Sequence, residues 1–322
     1  MALRDYVIQR GIISIALLFI VIFIDFAIFR LMPIDPLSLM GASRLPAEQI
    51  EFLKHHYGFD KPIIEQFLLY VVRVFQGDWG FSFYSRRPVF VEIGERVWNT
   101  VILVGVSQLI AGFIGLFIGL SIASKDKAKS GKALLTGSII LYSLPVFWTG
   151  LLFVIVLALR VGLFPWSGTT SQPPPTEPLK YLLDYAYHLV LPATAIVLNS
   201  FAGAAIMVRG SALYEFQQDY VVLARAKGAS NFSVLYSHVL KNAMLPMITY
   251  TALTFGFILT GTILVEIVFS LNGLGKLLFN AVITVDYPVL QSMFFVIGLM
   301  VVSANLLADM VYGFVDPRIK IG

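Results

Sequence analysis

Apolar residues come in long blocks along this chain, and polar residues are confined to the gaps between them. Six blocks, at roughly 11–32, 98–124, 133–160, 187–209, 244–268 and 289–313, match the run of about 20 apolar residues a helix needs to cross a bilayer. The apolar/polar alternation of an outer-membrane barrel is missing. The pattern predicts an all-α integral membrane protein with six transmembrane helices. The first block carries no small-residue cleavage site, so it reads as a retained helix and not as a removed signal peptide.

The gaps have structure of their own. In the long one after the first block, Pro46 can start a helix that Gly58 ends, and Pro62 a second that Gly77 ends. The second piece, PIIEQFLLYVVRVFQ, is too short and too charged to span. It is expected on the outer membrane surface or against the helix bundle. The stretch GLFPWSGTTSQPPPTEP (162–178) reads as irregular, with Trp166 at the lipid–water boundary. Gly112, Gly115 and Gly119 in the second block let helices approach closely, within the subunit or between subunits. Pro145 is expected to kink or divide the third block. The chain thus divides into a tail with helix 1 (1–32), a loop domain with short helices (33–97), a five-helix transmembrane core (98–313) and a final tail (314–322).

Charge orients the bundle. Arg4 and Arg10, the lysines at 125, 127, 129 and 132, the 210–243 loop, and Arg318 with Lys320 fall on one side of a six-helix topology, while the 161–186 and 269–288 loops carry only Lys180 and Lys276. The positive-inside rule puts both termini in the cytoplasm and the 33–97 loop outside. Composition agrees with a membrane protein: 58% of the 322 residues are hydrophobic and 13% charged, against about 25% charged in soluble domains. A net charge of +4 is a loop bias in such a chain and not a nucleic-acid signal.

The chemistry of enzymes has little foothold. With no cysteine, disulfides, thiol catalysis and thiolate metal sites are excluded. No GxxxxGK[ST], HExxH or GxSxG occurs, so neither a P-loop nor a zincin or hydrolase site is expected, and no cofactor in this chain. His55 and His56 are adjacent, which is too close to share a helix face as ligands. Among ionisable groups in the spans, Asp25 is the deep one; Glu266 and Asp309 sit near span ends, where interfacial pairing explains them. Asp25, Gln108 and Asn199 are the candidates for a translocation path, with helix–helix hydrogen bonding the other reading of Gln108 and Asn199.

The segment DYVVLARAKGASNFSVLYSHVLKNAMLPM (219–247) is the informative interruption. Leu213, Phe216, Tyr220 and Leu223 form one stripe at helical spacing, with Gln218, Val222 and Arg225 on the other side. Gly228 can adopt the left-handed conformation that ends a helix, and Ser230 or Asn231 can cap the next. A helix–turn–helix on the cytoplasmic side is either a handle for another protein or an idle solvated hairpin.

The segment resembles the EAA loop of ABC-importer permeases, roughly Y-x-E-A-A-x-x-x-G and, after about sixteen residues, L-P. Tyr220, Ala224, Gly228 and Leu245-Pro246 match at that spacing, while Val222 and Leu223 replace the Glu and first Ala. That departure is typical of the peptide/nickel branch, whose string DYVxxARAKG is matched at 219–228. MPIDP (32–36, Ile34 in place of Gly), YGFDKPIIEQF, QGDWGFS, SLPVFWTGLL, FSLNGLGKLL, DYPVLQ and DPRIK resemble the branch's other signatures in order. The chain is identified as resembling a type I ABC-importer permease, the B-type subunit with the large first outer loop.

The resemblance implies a heterodimer with a second, homologous permease, two cytoplasmic ATPase subunits that supply ATP and Mg, and an extracytoplasmic substrate-binding protein. It implies that Asp219, Tyr220, Ala224, Arg225, Ala226, Lys227, Gly228 and Ala229 form the ATPase-coupling element. Peptides are the expected substrate, with oligosaccharide second and nickel behind it. An ion-coupled secondary transporter is the competing class, and it would need buried carboxylates and broken helices in matching halves.

Overall fold

The computed structural model describes residues 3–31, 48, 51, 55, 60–244, 246–247, 250 and 258–315. Among these the chain is helical, apart from connecting loops and one isolated antiparallel bridge between Phe81 and Pro88. In chain order the helices are α1 (Leu3–Arg30), α2 (Ile63–Gln76), α3 (Val89–Ser124), α4 (Lys129–Ser143) and α5 (Val146–Phe153, continued by a π-helical stretch Val154–Arg160). They are followed by α6 (Pro178–Glu215), α7 (Asp219–Ala226), α8 (Asn231–Ser233, Val234–Val239 and Leu240–Ala243 in succession), α9 (Ile258–Val268), α10 (Leu274–Thr284) and α11 (Tyr287–Val315).

Four described helices are long and apolar enough to cross a membrane: α1, α3, α6 and α11. The pair α4 and α5, bent by 92° at Leu144-Pro145, is long and apolar enough to make a fifth if the two helices are one broken span. Pro145 has no N–H to continue the ladder, so the expected kink becomes a corner. Of the expected 244–268 span, residues 246–247 and 250 and the stretch α9 are described as helix. MPIDP, Pro46, Gly58, Leu245, DPRIK, Arg318 and Lys320 lie outside the described residues.

Two expectations change. The second and fourth blocks start earlier than their apolar runs, at Val89 and Pro178, because Pro88 and Glu177 hold extended backbone just before them. The 269–288 segment, read as a loop, contains α10; its buried Leu274, Leu277 and Ala281 fall on one helical face against α3 and α11, a face too short to stand out as a span. The glycines of α3 serve contacts within the chain: a Cβ at Gly115 would lie 2.6 Å from Ala204 Cβ, and one at Gly119 2.7 Å from the Ala205 carbonyl oxygen. Backbone-to-backbone approach of α3 and α6 requires those hydrogens.

α1 and α11 form a second pair, joined by the Arg10–Asp309 ion pair (3.2 Å) near one end and by a hydrogen bond from the Tyr287 hydroxyl to the Phe29 carbonyl (2.8 Å) near the other. α2 packs Phe67 and Tyr70 on Phe26 of α1 and leaves Ile63, Ile64, Leu68, Val72 and Phe75 exposed. Its left-handed stop is Gly77, at φ 74°.

Candidate functional site

The end of α6, α7 and α8 build a compact hairpin. α6 stops at Glu215, and a bend over 216–218 redirects the chain before α7. The single stripe expected through Leu213, Phe216, Tyr220 and Leu223 is therefore divided. Leu213, Phe216 and Tyr220 pack inward, but the bend shifts the phase of α7: Val221 is fully buried and Leu223 is 55% exposed. The buried side, Val221 with Val234, Val239 and Ala243 of α8, closes onto Leu120 and Ala123 of α3 and Val208 and Ala212 of α6. The hairpin is thus continuous with the core at that end of the bundle.

Its turn is fixed by backbone geometry. Gly228 adopts φ 82°. Its N–H donates to Arg225 O (2.9 Å) and the Ala229 N–H to Ala224 O (3.1 Å), the paired bonds of a left-handed helix stop. Ser230 Oγ then accepts from the Ser233 N–H (3.2 Å) and caps α8. The Tyr220 hydroxyl donates to the Glu215 carboxylate and accepts from Asn242 Nδ2 (2.9 Å), pinning α6, α7 and α8 at one point. Burial, and then the Glu215 bond, push the Tyr220 phenol above its ordinary range, so it stays a donor. The 125–128 turn is held alongside by Arg209 Nη2 to Asp126 Oδ1 (2.6 Å).

What the hairpin leaves outside is a mixed surface. Asp219, Val222, Leu223, Arg225, Ala226, Lys227 and Gly228 are exposed, and the Arg225 guanidinium sits 5.6 Å from the centre of the Phe216 ring. Ala224 is buried and Ala229 half-buried, so these two small residues allow α7 to close on its own chain. Phe232 at the start of α8 is 71% exposed beside Tyr236, and the sequence reading passed over it. An aromatic residue in the first turn after a capping serine is the signal that marks it.

The path candidates separate. Gln108 Nε2 donates to Ser200 Oγ (3.1 Å), and Asn199 Nδ2 donates to the carbonyls of Tyr142 (3.0 Å) and Leu144 (3.1 Å). Both side chains make the helix–helix hydrogen bonds that were their alternative reading, and they meet at adjacent positions on α6. Asp25 lies apart, 4% exposed, accepting from the Tyr70 hydroxyl of α2. Tyr70 also lines a cavity with Arg30, Gln66, Arg73, Tyr287 and Gln291, between α1, α2 and the start of α11.

Two buried carboxylates organise the opposite end of the bundle. Glu266, read from sequence as an interfacial residue, is fully buried. Its carboxylate accepts from Thr100 Oγ1 (2.6 Å) and the Lys276 N–H (3.0 Å), and Thr100 Oγ1 in turn accepts from the Leu274 N–H (2.8 Å). It therefore satisfies the first turn of α10 and ties α9, α10 and α3 together. The two glycines of Gly273-Leu274-Gly275 leave room for it, and that Gly-x-Gly after an acidic span end was the readable signal. Asp286 accepts from Ser82 Oγ (2.5 Å), Phe83 N (3.0 Å) and Tyr84 N (3.2 Å), latching the turn after α2 to the head of α11. Asp286→Ala is expected to free that turn and speed tryptic cleavage after the exposed Arg86, the Arg87–Pro88 bond being resistant to trypsin; cleavage at the wild-type rate would show that something else holds it.

Residues 115–321, which include the whole hairpin, match the family described as binding-protein-dependent transport system inner membrane component. The chain belongs to this family. Residues 3–104 match the N-terminal region described for the same membrane components. The oligopeptide transport system permease protein AppB of Bacillus subtilis strain 168 is 34% identical over 98% of this chain and 99% of its own length. The dipeptide transport system permease protein DppB of Escherichia coli K12 is 35% identical over 92% and 93%, and the glutathione transport system permease protein GsiC of the same strain 34% over 98% and 99%. The chain is thus a multi-pass helical membrane protein of a transport family.

Proposed function

We propose that this chain is one permease subunit of an ATP-driven importer that moves peptides across the cell membrane by alternating access. Six spans with both termini in the cytoplasm put the hairpin inside and α2 and the Asp286 latch outside. A second, homologous permease completes the pathway, two cytoplasmic ATPase subunits bind ATP and Mg, and an extracytoplasmic binding protein delivers the substrate. The observation that carries this reading is the hairpin itself: it is capped at both ends of its turn, rooted in α3 and α6, and presents Val222, Leu223, Arg225 and Lys227 outward. An idle surface loop does not need an apolar root shared with two spanning helices. Closure of the ATPases would displace the hairpin and, through α6, shift the bundle between inward- and outward-open states.

Peptide is favoured over oligosaccharide or nickel because the similar permeases are named for oligopeptide, dipeptide and glutathione transport. The ion-coupled alternative loses support because the described residues hold one broken helix pair and no match for it in a second half, and the buried Glu266 and Asp286 carboxylates are taken up by backbone N–H groups.

Reconstitution with the second permease, the ATPases and the binding protein tests the reading. ATP-dependent uptake of a labelled short peptide, and none of a trisaccharide, is expected; uptake driven by an ion gradient without the ATPases would overturn it. Arg225→Glu should lower ATPase recovery with the purified permease. An exposed ion pair is worth about 0.5–1 kcal/mol, so about a two- to fivefold loss in affinity is expected. Unchanged recovery would remove Arg225 from the contact.

A further inference from the structure

The corner between α4 and α5 sits astride one face of α6. Ala195, Asn199 and Gly203 are spaced four residues apart and so line up along that face. At Ala195, the side chain is 3.9 Å from where a Cβ on Gly150 of α5 would stand. At Gly203, an added Cβ would lie 2.9 Å from the Tyr142 ring of α4 and 2.9 Å from the Tyr250 hydroxyl, so nothing larger than hydrogen fits beneath that ring. Between them, the single amide of Asn199 donates to Tyr142 O (3.0 Å) and Leu144 O (3.1 Å).

Those carbonyls belong to the last turn of α4. The chain turns away by 92° at Pro145, so the N–H groups four residues on no longer reach those carbonyls where water is scarce; the Trp148 N–H, due to Leu144, donates to Pro145 O (3.0 Å). A side chain from another helix makes up the deficit. The same α6 runs on without interruption to Glu215, where the Tyr220 hydroxyl and the apolar root bind the hairpin to it.

We infer that Asn199 is a positioning residue that clasps the α4–α5 corner to α6, so that a displacement of the hairpin is delivered through α6 to that corner. This rests on the reading of the hairpin as the ATPase-docking element. The clasp works by donation, not by shape: two acceptors on one turn are held by one amide, while the small residues on either side set the distance. Losing it leaves α6 free to move without carrying the corner along, and ATP is then hydrolysed without transport.

The test uses the reconstituted importer and reads labelled peptide moved per ATP hydrolysed. Asn199→Leu, close in size and without a donor, is expected to lower that ratio about fivefold or more, the scale of a coupling free energy, with subunit recovery and ATPase rate near wild type. Asn199→Gln, which keeps the amide, is expected to retain most of the ratio. The natural chain has no cysteine, so a Gly150→Cys/Ala195→Cys pair, whose Cβ separation of 3.9 Å suits a disulfide once the Phe269 ring, 2.9 Å from the added Gly150 Cβ, turns aside, can replace the clasp covalently. Oxidation of that pair is expected to restore coupling in the Asn199→Leu background.

An unchanged ratio in Asn199→Leu overturns the inference. So does a Gln variant as impaired as the Leu variant, an equal fall in transport and ATPase rate, or a disulfide that restores nothing. If Asn199→Leu does not assemble, the oxidised disulfide is tested in the wild-type background, where blocked transport overturns the idea and retained coupling supports it. If Gly228→Val leaves transport coupled, the hairpin reading fails. If Gly228→Val uncouples transport and Asn199→Leu does not, the clasp alone fails.

Discussion

Gly228→Val is expected to cut peptide moved per ATP by about tenfold or more while the permease still inserts and folds. Gly228 sits at φ 82°, where a β-branched residue is a steric outlier. An added Cβ there meets nothing within 4 Å, so the cost comes from the backbone and not from a collision. Relief comes from leaving the left-handed region, which breaks the Gly228-to-Arg225 and Ala229-to-Ala224 bonds and changes the angle between α7 and α8. The spans do not depend on that angle; the exposed face made by Val222, Leu223, Arg225 and Lys227 does. Gly228→Asn, which tolerates the left-handed region better, is expected to keep most of the coupling. A valine variant that imports normally would refute the docking role of the hairpin. The measurement is uptake per ATP together with recovery of the assembled complex.

Glu266→Leu is expected to be the most destabilising single change. Removing the carboxylate strands the Thr100 hydroxyl and the Lys276 N–H in a fully buried site. Each stranded buried group costs about 1–3 kcal/mol, so the two cost about 2–6 kcal/mol, which at about 2–4 °C per kcal/mol lowers the melting temperature by about 10 °C. Glu266→Gln keeps an acceptor facing Thr100 and should lose less than half as much. Thermal unfolding of the purified permease in detergent checks both variants. A Leu variant that melts with the wild type would mean that α10 is held by its apolar face alone.

Legibility followed the range of the interaction. The Pro145 break, the Gly77 and Gly228 helix stops and the Ser230 cap were readable because each is set within a few residues by a missing N–H, a missing Cβ or a nearby hydroxyl. Spans α1, α3, α6 and α11 were readable because a bilayer demands length and apolarity and little else. Helix starts were less so: α3 and α6 begin ahead of their apolar runs, in the stretches 89–97 and 178–186 that are broken by Glu92, Glu95, Arg96, Lys180 and Asp184. α10 escaped because a one-sided helix of eleven residues has no signature separate from its neighbours.

The candidate site shows the same division. Periodicity drew one stripe from Leu213 to Leu223, and the bend at 216–218 broke it, exchanging Leu223 for Val221 on the inner side. Ala224 belongs to the hairpin's own packing, and Phe232 joins the exposed face.

The sequence alone determined that this chain crosses a membrane through helices, where those helices stop or break, and which short segment between them resembles a docking hairpin. These are matters of composition and local backbone chemistry. Only the tertiary structure decided what the isolated polar groups do. Asn199 mends the Pro145 corner, Gln108 bonds Ser200, Glu266 caps α10 and Asp286 latches the turn after α2. The physical reason is that a polar group deep among apolar helices must find a partner, and for Asn199, Gln108 and Asp286 that partner lies some 50 to 200 residues away in the chain. No spacing rule along the sequence reaches that far.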